Sequence, residues 1–145
     1  MRLSLLTILL CLVTVLTGCS DKVQVRGKVM LTDGTPLARG EVIFERDVFS
    51  ARGDIQPDGS YVMGSLQAND GLPKGEYVVY IRGATEVGEA GQVRSLGGGG
   101  QTSMVSIASM TPIIALEYTS GSTSPLKCNV QKSMTYDINV EPSGM

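Results

Sequence analysis

The chain has 145 residues and a formal net charge of −2, with 12 basic and 14 acidic side chains. This mildly acidic balance, without a basic cluster, offers no electrostatic footprint for nucleic acid, and we exclude that class of partner. The chain contains no histidine, which excludes serine–histidine and cysteine–histidine catalysis within it and every zinc site that needs a histidine ligand.

The first eighteen residues have the pattern of an export signal. Arg2 is their one charged residue, and an apolar run from Leu3 to Leu16 follows it. The run is too short for a transmembrane helix, which needs about 20 apolar residues to cross the bilayer. A positive start before a short apolar segment therefore predicts a cleaved signal peptide over residues 1–18.

The apolar run ends in Leu16-Thr17-Gly18-Cys19, which resembles the lipobox of bacterial lipoproteins. The resemblance implies that the chain is cut before Cys19 and that lipid on Cys19 anchors the protein to a membrane of the cell envelope. Residues 19–22 would then form the lipidated cysteine and a short tether. Ser20 stands where an aspartate retains Gram-negative lipoproteins in the inner membrane, so the resemblance slightly favours the outer membrane.

The other two cysteines predict neither a disulfide nor a reactive site. Cys11 lies in the signal segment and leaves with it, so Cys128 has no partner within the mature chain. Cys128 alternates with Leu126 and Val130, which predicts that its side chain points inward as a small, inert apolar group.

We predict that residues 23–145 form one all-β domain, because apolar and polar residues alternate in them with a period of two between turn-rich stretches. The candidate strands, in chain order, cover residues 23–31, 41–45, 52–56, 61–63, 76–82, 113–118, 126–131 and 135–141. We expect an antiparallel, seven-stranded β-sandwich. The glycine-rich stretch 83–111 interrupts the pattern and predicts a long loop, with one short extra strand near Met104 to Ala108.

Several turn and strand segments follow one another in a familiar order. They are Gly27-Lys28-Val29, Asp33-Gly34-Thr35-Pro36-Leu37, Gly40-Glu41-Val42-Ile43-Phe44, Asp58-Gly59-Ser60-Tyr61, Gly71-Leu72-Pro73-Lys74-Gly75-Glu76-Tyr77-Val78-Val79 and Ser124-Pro125-Leu126. This series resembles the carboxypeptidase regulatory-like, transthyretin-like domains of small exported lipoproteins of planctomycete-type bacteria. The resemblance spans most of residues 23–141 and implies a seven-stranded sandwich without a settled activity.

Two groups of polar residues are candidate sites. Asp54, Asp58, Asn69 and Asp70 carry oxygen ligands suited to calcium, but turn geometry alone explains the two Asp-Gly pairs among them. Arg52-Gly53-Asp54 spells an integrin-type adhesion tripeptide, and we favour a chance match at a strand edge. The sequence thus predicts no cofactor and no metal site.

The preferred interpretation is a non-catalytic envelope lipoprotein that serves as a structural or protein-binding module. A sheet edge or residues 83–111 would provide the recognition surface. Its partners would be the membrane, through the lipid on Cys19, and an envelope protein. Two alternatives remain open: a module that binds envelope polysaccharide through an exposed Tyr80, and a hydrolase that uses paired carboxylates.

Overall fold

A computed structural model describes residues 22–144 except 88–90, 97–101 and 108, and for residues 91–96 and 102–107 it describes the backbone only. The described chain is all-β, which confirms the predicted class. The strands are β1 (Lys22–Val23), β2 (Val25–Leu31), β3 (Glu41–Arg46), β4 (Phe49–Asp54), β5 (Ser60–Val62), β6 (Leu72–Pro73), β7 (Gly75–Arg82), β8 (Thr85–Val87), β9 (Gly91–Leu96), β10 (Thr102–Ile107), β11 (Met110–Pro112), β12 (Lys127–Val130), β13 (Met134–Thr135) and β14 (Ile138–Val140).

The first large sheet has the order β12-β7-β3-β4, and all of its pairs are antiparallel. Strands β4, β7 and β12 bury alternate residues, as the period-two pattern predicts, whereas β3 buries Val42, Ile43 and Phe44 in succession. Phe44 in β3 and Val79 in β7 are opposite each other and fully buried. Cys128 is buried in β12, which confirms its predicted inward direction. Strands β4 and β12 are the two edges of this sheet.

The second sheet is built around β2, with β5 antiparallel on one side and β13 and β14 parallel on the other. Residues 134–140 pair with β2 at one constant offset, so they form a single strand with a gap at Tyr136 and Asp137. In that gap Asp137 Oδ1 accepts a 2.9 Å hydrogen bond from the backbone N–H of Lys28. The expectation of a wholly antiparallel domain is therefore wrong for these two strands.

One apolar core joins the two sheets. The buried side chains of β2, β5 and β14 belong to the same contact cluster as those of β3, β7 and β12. Phe44 lies near the centre of this core. Its ring centroid is 5.8 Å from that of Tyr77 and 5.9 Å from that of Tyr136. Among the described residues, every buried side-chain nitrogen and oxygen has a hydrogen-bond partner.

The sequence predicted a loop at residues 83–111. Where the structure describes these residues, they form two antiparallel strand pairs instead. Strand β8 pairs with β11, and β9 pairs with β10 between them along the chain. The extra strand expected near Met104 to Ala108 coincides with β10 as far as Ile107, and Ala108 lies outside the described residues. Ladder hydrogen bonds join backbone groups, so a glycine-rich and polar segment can form a hairpin without the apolar alternation on which the prediction relied.

The prediction of a strand at residues 113–118 is also wrong. Ile114 forms a single bridge with Pro142, and a 3-10 helix then covers Leu116–Thr119. Tyr118 in that helix is buried against the core. Ile114 therefore reaches the core from a single bridge and Tyr118 from the helical turn, whereas Leu116 between them is exposed.

Candidate functional site

A polar groove of about 680 Å³ lies beside the edge strand β4. We call it the β4 groove. Strand β5 and the loop from Gly64 to Gly71 form its other walls. Its polar lining residues are Glu41, Arg52, Asp54, Gln56, Ser60, Ser65, Gln67 and Asn69. These side chains offer a guanidinium, carboxylates, amides and hydroxyls, which are groups that bind polar ligands by hydrogen bonds.

The Arg52-Gly53-Asp54 tripeptide lies within β4, at the floor of this groove. Arg52 exchanges two backbone hydrogen bonds with Gly64, of 2.9 and 2.8 Å, which tie the loop to the strand. A Cβ atom on Gly53 would lie 2.6 Å from the carbonyl oxygen of Val62, so β5 can approach β4 only over a glycine. Packing therefore explains Gly53, and the tripeptide is part of a paired strand.

The side chain of Asp70 organises the groove's loop wall. Its Oδ1 accepts a 2.6 Å hydrogen bond from the backbone N–H of Ser65, and its Oδ2 accepts one of 2.6 Å from Lys22 Nζ. The Lys22 ammonium first, and the Ser65 N–H second, hold the pKa of Asp70 well below its usual range. An ionised Asp70 thus joins the start of the described chain to the loop.

Of the four calcium candidates, Asp54 and Asn69 both line the β4 groove, but Asp58 and Asp70 do not join them there. Asp58 accepts hydrogen bonds from the hydroxyl and the backbone N–H of Ser60, which lower the pKa of Asp58 and stabilise its own turn. Asp70 is occupied by Lys22 and the loop backbone. In the part of the chain that the structure describes, no three carboxylate or cysteine side chains cluster closely enough to hold a metal ion.

A pair of carboxylates does line the β4 groove. Glu41 in β3 and Asp54 in β4 are directly opposite each other in the ladder. However, Arg82 donates two hydrogen bonds to Glu41 Oε2, from Nη2 at 2.7 Å and from Nε at 3.2 Å. Glycosidic chemistry needs one carboxyl group that carries a proton for the leaving group. A substrate that used Glu41 in this way would have to displace Arg82 from it.

Tyr80 is half-buried and not the exposed platform that the sequence suggested. Its hydroxyl donates a 2.8 Å hydrogen bond to Glu45 Oε2. Burial, and then the contact with Glu45, raise the pKa of Tyr80. The backbone at Gly121 lies against the ring, because a Cβ atom there would be 3.3 Å from Tyr80 Cε1. A sugar ring would have to compete with this segment for the tyrosine face.

Cys128 is enclosed in the core, and burial raises the pKa of its thiol. A protonated and inaccessible thiol is a poor nucleophile.

Residues 1–18, Cys19 and the tether up to Asp21 lie outside the described residues. Within the described ranges, no helix has the length and apolar character of a membrane span. No protein-family model, curated protein or solved structure matches this chain.

Two contacts that shape this region were not predicted from the sequence. The first joins Lys22 to Asp70, and the second is a hydrogen bond from the Tyr61 hydroxyl to the carbonyl oxygen of Tyr136. The partners are 48 and 75 residues apart. The Asn69-Asp70-Gly71 turn signal identified the place of Asp70 but held no information about its distant partner.

Proposed function

We propose that this protein is a lipid-anchored lipoprotein of the cell envelope, exported by residues 1–18 and held by lipid on Cys19. The support is the lipobox-like Leu16-Thr17-Gly18-Cys19 directly after an apolar run, and a folded domain whose first strand begins only three residues later, at Lys22. The outer membrane remains the slightly favoured location because Ser20 follows the cysteine.

The domain itself is proposed to be a transthyretin-like, carboxypeptidase regulatory-like sandwich. Seven of its strands divide into two groups, β12-β7-β3-β4 and β5-β2-β14, that share one core. Such a scaffold leaves sheet edges and connecting loops for recognition, while the sheets stay rigid.

The proposed activity is non-catalytic binding of an envelope protein in the β4 groove. The observation that carries it is the set of exposed hydrogen-bonding side chains on a rigid strand edge, with Arg52, Asp54 and Gln56 side by side. Arg52 and Asp54 present opposite charges about 7 Å apart along the strand, because alternate residues share a face. A peptide segment that carries both charges and amides would complement this row.

The anchor is tested by palmitate labelling and intact mass of the full protein extracted from membranes. The wild type and Cys128→Ala are expected to carry lipid, and Cys19→Ala is expected to carry none. Cys128→Ala is the matched control because it removes the other cysteine of the mature chain. An unlabelled wild type that keeps residues 1–18 would contradict the anchor.

The groove is tested by photo-crosslinking in intact cells. A benzophenone residue at Gln56 is expected to form an adduct with one envelope protein, and Arg52→Glu with Asp54→Ala is expected to abolish it. Lys127→Glu, an exposed charge change on the opposite edge of the sheet, is the control. An adduct that survives the groove substitutions would contradict the groove as the binding site. Polysaccharide retention that needs Tyr80, without a protein adduct, would favour the carbohydrate alternative.

A further inference from the structure

Several turns converge at the end of the domain where the described chain begins. Val130 pairs with Gly75, and Met134 pairs with Val25, so the turns after β12 and before β7 lie at the same end as the start of β2. Arg46 Nη1 donates a 2.8 Å hydrogen bond to the carbonyl oxygen of Lys74, which brings the β3–β4 turn to that end as well. We call this surface the anchor end; it comprises Lys22 and the turns 46–49, 73–75 and 131–133.

A short tether limits how the domain can be oriented. Three residue steps separate Cys19 from Lys22, and they span at most about 10 Å. Lys22 is fixed on the domain by its pairing with Pro73 and its 2.6 Å ion pair with Asp70. Strand β7 has eight residues, or roughly 26 Å, and it runs from the anchor end to Arg82. The tether is therefore too short to bring the opposite end to a membrane in place of the anchor end.

The charges of the two ends differ in sign. Besides Lys22, which is paired with Asp70, the anchor end carries three cations against the acid Asp47. These cations are Arg46, Lys74 and Lys132. The opposite end carries the acids Asp33, Asp54, Asp58 and Glu86 against the exposed cation Arg39, besides the ion pair of Arg82 with Glu41. An anionic lipid surface attracts the first set and repels the second.

The β3–β4 turn also places one apolar side chain at the tip of the anchor end. Val48 is fully exposed, in a turn of two residues where Asp47 has a positive φ. Elsewhere on a protein surface, a single exposed valine would be no evidence of an interaction site. Val48 follows Arg46 at the tip of this turn, so a lipid surface at this end would receive Val48 in its headgroup region while the neighbouring cations contact phosphate.

We propose that the anchor end lies flat against the lipid surface, with Val48 in the headgroup region, and that the strands β8 to β11 leave the domain on the side away from the membrane. This orientation rests on the proposed lipidation of Cys19. It directs the paired strands β8 and β11, which follow Arg82, toward partners beyond the lipid surface.

The orientation is tested on the full lipidated protein, reconstituted in vesicles of phosphatidylethanolamine and phosphatidylglycerol. An environment-sensitive fluorophore is attached to Val48→Cys and, as the matched control, to Ala38→Cys, an exposed position in the turn after β2 at the opposite end. Buried Cys128 is protected from the label. Lipid-borne quenchers near the headgroups should quench the probe at 48 at least about threefold more than the probe at 38.

Equal quenching at the two positions, or stronger quenching at 38, would overturn the orientation. Lys74→Glu with Lys132→Glu should reduce quenching at 48 on anionic vesicles and leave it unchanged on neutral ones, and an unchanged value on both would overturn the electrostatic part. Intact mass separates the two proposals. A protein without acyl mass overturns both, whereas a lipidated protein with equal quenching overturns the orientation alone.

Discussion

The hydroxyl group of Tyr61 holds the C-terminal strand in place, and Tyr61→Phe removes it with almost no change in shape. The side chain is 1% exposed, and its hydroxyl donates a 2.5 Å hydrogen bond to the carbonyl oxygen of Tyr136, at the gap between β13 and β14. The substitution leaves that carbonyl without this donor in an apolar setting. We expect a loss of about 1–3 kcal/mol in the free energy of unfolding.

A domain of this size loses roughly 4 °C in melting temperature per kcal/mol, so Tyr61→Phe should melt about 4–12 °C below the wild type. Far-UV circular dichroism in urea and on heating measures the change, since the chain has no tryptophan. Tyr80→Phe is the control: it also removes one hydroxyl, but from a half-buried contact with Glu45. It should cost about 0.5 kcal/mol or less. Equal costs for the two variants would refute the argument that burial makes the Tyr61 hydrogen bond matter.

Three further predictions concern single side chains. Gly27→Ala should cost about 3 kcal/mol, measured by urea unfolding, because its Cβ atom would collide with the carbonyl oxygen of Tyr136; Gly144→Ala, which has open space around it, should cost nothing measurable. The lowered pKa of Asp70 means that its stabilising contribution is complete above the ordinary aspartate pKa of 3.8 and is lost as the pH falls below it. Asp70→Asn should therefore unfold more readily than the wild type at pH 7, and the difference between the two should shrink in acid unfolding experiments below about pH 4; a constant difference would contradict this. Cys128 should react with a thiol reagent at least about a hundredfold more slowly in the folded protein than in urea, and equal rates would show that the thiol is accessible.

The sequence predicted which side chains of the long strands face the core, because alternate residues of a strand lie on the same face. Val25, Val29, Phe44 and Cys128 are buried as predicted. The same reasoning failed at residues 83–111, where the strands pair through their backbones and carry too few apolar residues to show a pattern.

Contacts between distant residues could not be predicted for a different reason. The sequence places Asp70 in a turn, and the structure contains that turn. The ionised side chain of Asp70 also binds Lys22, which is 48 residues away in the sequence. The β4 groove likewise depends on which segment of chain lies beside Arg52, and Gly64 occupies that place through two backbone hydrogen bonds. Neither partner is specified by local propensity, because tertiary packing selects it.

The parallel pairing of β2 with residues 134–140 imposes an order on folding. These partners are separated by 109 positions, so the loop that must close is nearly the whole domain, and such non-local pairing forms slowly. Before residues 134–140 pair with β2, one edge of β2 lacks its partner strand. A chain without these residues therefore cannot complete its second sheet. The second sheet can therefore be completed only after residues 134–140 reach β2, whereas β3 can pair with β4 and β7 while that strand is still absent.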